Sequence, residues 1–142
     1  MTEYAQIADA RLRKLGEAEW EIKSCMQRIE ELENVAQCCG SLNITDKVQN
    51  SVTGNKMEDA VMKILEEQER LYIIIESYIN IDIEINRELE ILNPVEREII
   101  IRQYKRKENS DVIAKEMNYS ASYIRTIKLK ALEKFGKKVK NS

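Results

Sequence analysis

A chain of 142 residues has room for one ordinary domain, or for a small domain carried on a helical extension. Apolar residues at 43% and charged residues at 34% suit a folded helical protein and exclude a disordered one, while one proline and four glycines are too little punctuation for an all-β fold. The net charge of −2 hides a division, because residues 94–142 hold thirteen Lys and Arg against six Asp and Glu, a balance of +7 that leaves −9 on residues 1–93.

Such asymmetry directs the C-terminal third toward a polyanion and gives the acidic part a different task. No apolar run approaches the ~18 residues that span a bilayer, and Met1-Thr2-Glu3-Tyr4 lacks the layout of a secretion signal. Cys25, Cys38 and Cys39 have no CxxC spacing, and the chain contains no histidine. The expectation is a cytoplasmic all-α protein with reduced thiols, without metal, cofactor or membrane partner.

Residues 3–39 read as one long helix. Ala8, Leu15, Ile22, Ile29 and Ala36 recur every seventh position, with Ala18, Cys25 and Leu32 three residues after their partners. This is a coiled-coil seam, locally weakened at Gly16 by about 1 kcal/mol. Residues 40–56 are expected to form a loop, since Gly40-Ser41-Leu42-Asn43 and Ser51-Val52-Thr53-Gly54-Asn55 are loop compositions.

A second helix is predicted over residues 57–92. Met57, Ile64, Leu71, Tyr78, Ile85 and Leu92 form its seam, supported by Val61, Ile75 and Leu89. Residues 79–85 alternate apolar and polar like a strand, but the seven-residue repeat continues on both sides and decides for helix. Two seams joined by one connection predict a long antiparallel, coiled-coil-like hairpin over residues 1–92. Trp20, Tyr72, Ile79 and Ile83 lie off the seams. They form either a surface for self-association, a dimer being favoured, or a face covered by the C-terminal part.

From residue 93 the pattern changes. Asn93-Pro94-Val95-Glu96 is a capping-box start, for a helix turning Val95, Ile99, Ile100 and Tyr104 inward and ending in Lys105-Arg106-Lys107. Asn109-Ser110-Asp111 opens a short helix to Met117. Residues 110–129 then satisfy the steric demands of a helix-turn-helix. Ile113 and Met117 face inward, Ala114 is small at the crossing, Asn118 tolerates a left-handed turn, Tyr119 covers it, and Ser120 caps the next helix. Ile124, Ile127, Leu132 and Phe135 continue the inward stripe. Residues 93–142 are thus expected to form a small three-helix module.

The second helix of such a motif enters the major groove by its N-terminal half. Ser120, Ser122, Tyr123, Arg125, Thr126 and Lys128 are the candidate DNA-facing residues. Arg125 is the best base reader, because its planar fork matches the two acceptors of guanine. Lys128, Lys130, Lys134 and Lys137, together with Lys105, Arg106 and Lys107, are assigned to phosphates, where a flexible ammonium acts as a point charge.

Leu92–Ile100, Ile113-Ala114-Lys115-Glu116-Met117, Tyr123-Ile124-Arg125-Thr126-Ile127 and Ala131-Leu132 together resemble region four of sigma-70-type factors. The whole arrangement resembles the RinA/ArpU-type regulators of phages and prophages. The resemblance implies a transcriptional activator in a bacterial host that binds double-stranded DNA and touches RNA polymerase. It places Arg125 and Thr126 where sigma factors meet DNA. Ala121-Ser122 and Lys128 depart from that pattern, and no stretch resembles sigma region two, so an accessory activator fits better than a complete sigma factor. The alternative is a small terminase subunit, a DNA-packaging component that pairs a helix-turn-helix with an oligomerising hairpin. An enzyme is not expected, since no phosphate loop, metal spacing or catalytic cluster is present.

Overall fold

Five α-helices and one 3-10 turn account for nearly all the described residues, with no strand among them. The computed structural model describes residues 2–46 and 51–142, with side chains outside the description for 39–46 and 51–55. Helix α1 spans Glu3–Asp46 and α2 spans Ser51–Glu88, followed by the 3-10 turn Leu89–Ile91. Then come α3 (Pro94–Tyr104), α4 (Ser110–Met117) and α5 (Ala121–Lys140). The fold is all-α, with two long N-terminal helices and three shorter C-terminal ones that contain a helix-turn-helix.

Three sequence expectations need correction. The loop expected over 40–56 is helical up to Asp46 and again from Ser51. Gly, Asn and Thr each cost a helix only about 1 kcal/mol or less, and no proline interrupts the segment, so propagation from the flanking turns outweighs loop-like composition. The second helix stops being α-helical at Glu88, four residues early, and tightens into the 3-10 turn before Leu92 becomes extended. Residues 79–85 are helical, as the longer repeat required.

The third correction concerns the boundary expected at residue 92. The chain divides into one compact unit of residues 1–20 with 79–142, and another of residues 21–78. The reason lies in the first unit's core, where Ala5, Ala8, Leu12 and Leu15 of α1 and Ile85 of α2 cluster with Leu89, Leu92, Ile100, Ala131, Leu132 and Phe135. A module of about 50 residues buries little surface alone. Its Phe135 and Leu132 reach complete burial only under the first turns of α1.

Ion pairs edge that core. Arg11 meets Glu88 at 2.9 Å and Glu84 at 3.2 Å. Tyr104 Oη donates to Asp9 Oδ1 at 2.6 Å. Burial first, and then the Asp9 bond, hold the Tyr104 phenol well above its ordinary pKa.

Two glycines allow the helices to approach. A Cβ at Gly16 would collide with the Tyr104 carbonyl, and one at Gly136 with the backbone of Tyr4. The helix penalty at Gly16 is therefore the condition for close packing of α1 on the end of α3. Gly136→Ala is expected to gain up to ~1 kcal/mol in helix propensity and to lose more through displaced backbone, typically 1–3 kcal/mol. A lower thermal midpoint is the expected result, and a higher one would show that α1 and α5 can part without cost.

The second unit is simpler. Cys25, Ile29 and Leu32 of α1 pack with Leu71 and Ile75 of α2, flanked by Ile22, Ile64 and Ile74. Gln68 Nε2 donates to the Ile29 carbonyl at 3.3 Å across the pair. Met26, Met62, Leu65, Tyr72 and Ile73 of this unit stay exposed.

Candidate nucleic-acid interface

The module is built by its caps. Asn93 accepts from Glu96 N–H at 2.8 Å while Glu96 accepts from Asn93 N–H at 3.1 Å, a complete capping box that starts α3 with Pro94 in its first turn. Asn109 caps α4 by accepting from Val112 N–H at 2.9 Å. Asn118 then turns left-handed at φ 61° and ψ 39°, and the N–H groups of Asn118 and Tyr119 close back on the Ala114 carbonyl. Ser120 caps α5 through Tyr123 N–H at 3.1 Å. Every orphan group at this turn that the sequence assigned a partner has it.

Below the turn, Ile113, Ala114 and Ile124 close over Ile99, with Met117, Ala121 and Ile127 partly buried beside them. The small Ala114, 5% exposed, sits in this crossing as its size required. Val95 is a correction. Expected inward, it is 36% exposed, because the burying face of α3 carries Ile99 and Ile100 while Val95 lies beside Tyr119 and Tyr123 in a surface groove.

Arg102 fixes α4 against α3. Its guanidinium lies 3.3 Å from Glu98 and 3.4 Å from Glu108, and it is bonded to Glu116. At 15% side-chain exposure it organises the module and is withdrawn from solvent.

One face of the N-terminal half of α5 stands clear of these cores, opposite the buried Ile124. Ser122, Tyr123, Arg125 and Thr126 are exposed, with Thr126 Oγ1 bonded back to the Ser122 carbonyl at 3.0 Å. Tyr123 packs edge-on against Tyr119 at a centroid distance of 5.0 Å, so its ring is steadied at the turn. Arg125 is 62% exposed in its side chain and only loosely approached by Asp111 at 4.0 Å, a pair that water and salt screen. Lys130 and Lys137 are exposed on the same helix, and no ion pair holds them among the described residues.

The expected phosphate set is not uniformly available. Lys105 is a correction, since its ammonium lies 3.1 Å from Asp82 and 3.9 Å from Glu19 and serves inside the first unit. Lys134 reaches the buried Glu96 carboxylate at 3.0 Å, although its side chain remains 58% exposed. Lys128 lies over the Tyr104 ring, 5.4 Å from its centroid. Arg106 and Lys107 are exposed.

Lys107 is a residue whose backbone the sequence did not flag. It adopts φ 55°, and Glu108 N–H closes on the Arg102 carbonyl at 3.0 Å to end α3, in a position glycine usually fills. Lys107 and Lys128 line an open groove of about 830 Å³ with Arg13, Glu17, Trp20, Gln103, Tyr104, Glu108, Asn109 and Ser110. Charge counting could not find this grouping, because Arg13 belongs to the part of the chain, residues 1–93, that carries a net negative charge. The spacing of Arg13 and Trp20, two helical turns apart on one face, was the available hint.

Trp20, Ile79 and Ile83 are 66%, 41% and 43% exposed within the first unit, so its C-terminal part does not cover them, and Tyr72 is exposed on the second. No helix among the described residues is long and apolar enough to cross a membrane. Comparison with family models, with curated proteins and with solved structures returns no match.

Proposed function

We propose that the protein is a sequence-specific DNA-binding regulator of transcription that works in the cytoplasm as a homodimer. The exposed face of the N-terminal half of α5, pre-set by the Asn118 turn and the Ser120 cap, carries this reading. A duplex meeting it would find Arg125 in the place of a base reader, with Lys130, Lys137, Arg106 and Lys107 available for phosphates. The resemblance to sigma region four extends the proposal to activation of phage or prophage promoters through contact with RNA polymerase.

Selection of bound duplexes from a random pool tests the reading directly. Arg125→Ala is expected to relax the selected sequence and to cost about 1–3 kcal/mol of specific binding. A footprint identical to the parent's would remove Arg125 from base readout. Failure of the unmodified protein to bind any duplex at low salt would end the DNA reading altogether.

The exposed Tyr72, Ile79 and Ile83 of α2 support self-association, because large apolar side chains left in water off a coiled-coil seam are ordinarily covered by a partner. Tyr72→Glu with Ile79→Glu is expected to halve the native mass in sedimentation. An unchanged mass would exclude that surface from the dimer, and a large ring in the parent would favour a packaging subunit over a regulator.

A further inference from the structure

Resting on the DNA reading, we propose that the groove between α1 and the α3–α4 loop is a second contact site for the duplex, holding its phosphodiester backbone beside Trp20. The cations meet there from three elements: Arg13 from α1, Lys107 from the loop and Lys128 from α5. Lys128 lies one helical turn after Arg125, so a strand lying against Arg125 passes the mouth of the groove. Ser110 and Asn109 at the start of α4 line the same wall. The start of α1 thereby joins the interface, although residues 1–93 carry a net charge of the wrong sign.

The acids of the groove differ in availability. Glu108 is already answered by Arg102 at 3.4 Å, whereas Glu17 is exposed and has no ion pair among the described residues. Arg13 is held by Asp9 at 2.9 Å, but its side chain is 76% exposed, and a surface pair of that kind yields easily to a phosphate. Trp20, 66% exposed, offers an indole N–H donor at the tip of a flat apolar body, which suits a phosphate oxygen flanked by a sugar. Lys107 lines this groove from a left-handed backbone that lysine adopts reluctantly. Strain of this sort gathers where position matters more than stability.

Trp20 is the chain's single tryptophan, so it reports on this groove without labelling. The experiment titrates the full-length protein with a mixed-sequence duplex at low salt, following duplex anisotropy and Trp20 emission together. Binding is expected to shift Trp20 emission and shield it from acrylamide. Lys107→Gly is expected to keep or raise the thermal midpoint while reducing the slope of log affinity against log salt by about 1. Glu17→Gln should tighten binding more than the charge-matched control Glu66→Gln. Duplex binding with Trp20 unresponsive, or with the salt slope of Lys107→Gly unchanged, would overturn the proposal and leave the α5 reading standing. Absence of duplex binding by the parent would overturn both.

Discussion

Phe135→Ala is expected to destabilise the protein by about 3–5 kcal/mol, the largest effect of any single side chain considered. Phe135 is fully buried in the core shared by α1, α2, α3 and α5. Its ring fills space between helices that cannot close up, because the Gly136–Tyr4 approach already brings α5 and α1 to backbone contact. A cavity therefore remains, and the loss comes to a large share of the ~5–15 kcal/mol that holds a typical domain together. Denaturant unfolding measures it, with Phe135→Leu expected to recover much of the stability. A loss below about 1 kcal/mol would mean that α1 does not seal this core in solution. Because α1 and α5 lose their common partner together, hydrogen exchange should rise at Ala5–Leu15 and at Ala131–Val139 in the same variant.

Ile124→Ala is expected to cost about 2–5 kcal/mol and to act on a different region. Ile124 is fully buried against Ile99, Ile113 and Ala114, the core that sets the angle between α4 and α5. Helix α4 is only eight residues long and cannot persist in water without that contact. Exchange protection should therefore fall first over Ser110–Met117, while the α1 segment around Leu12 keeps its protection. Duplex affinity should fall too, since the turn that aims α5 loses its support. Retained affinity with α4 unprotected would show that α5 binds DNA without the helix-turn-helix geometry, and the proposed docking mode would then be wrong.

The two variants separate support from presentation. Phe135 belongs to the core through which the hairpin seals the module, and Ile124 belongs to the core that presents α5. Between them, the Arg102 cluster and the Glu96–Lys134 pair are polar fasteners, attached to α3 at its two ends. Arg102 is almost withdrawn from water and is answered by three carboxylates, so removing it would leave Glu98, Glu108 and Glu116 crowded without a counter-charge.

Local chemistry alone determined where the three C-terminal helices start in this protein. Asn93, Asn109 and Ser120 cap where their side-chain oxygens suit free N–H groups, Asn118 turns left-handed because its short polar side chain tolerates it, and the seven-residue repeats choose the buried seams. These are decisions made within a few residues, so they are written in consecutive letters. Only the tertiary structure decided which charges remain for a partner. Lys105 looks like its neighbour Arg106 in sequence, yet Asp82 from α2 takes it, and Arg13 from an acidic helix joins Lys107 and Lys128 in one groove. Those outcomes depend on distances between residues far apart along the chain, set by how closely Gly16 and Gly136 let the helices approach. No pattern along a single helix encodes them.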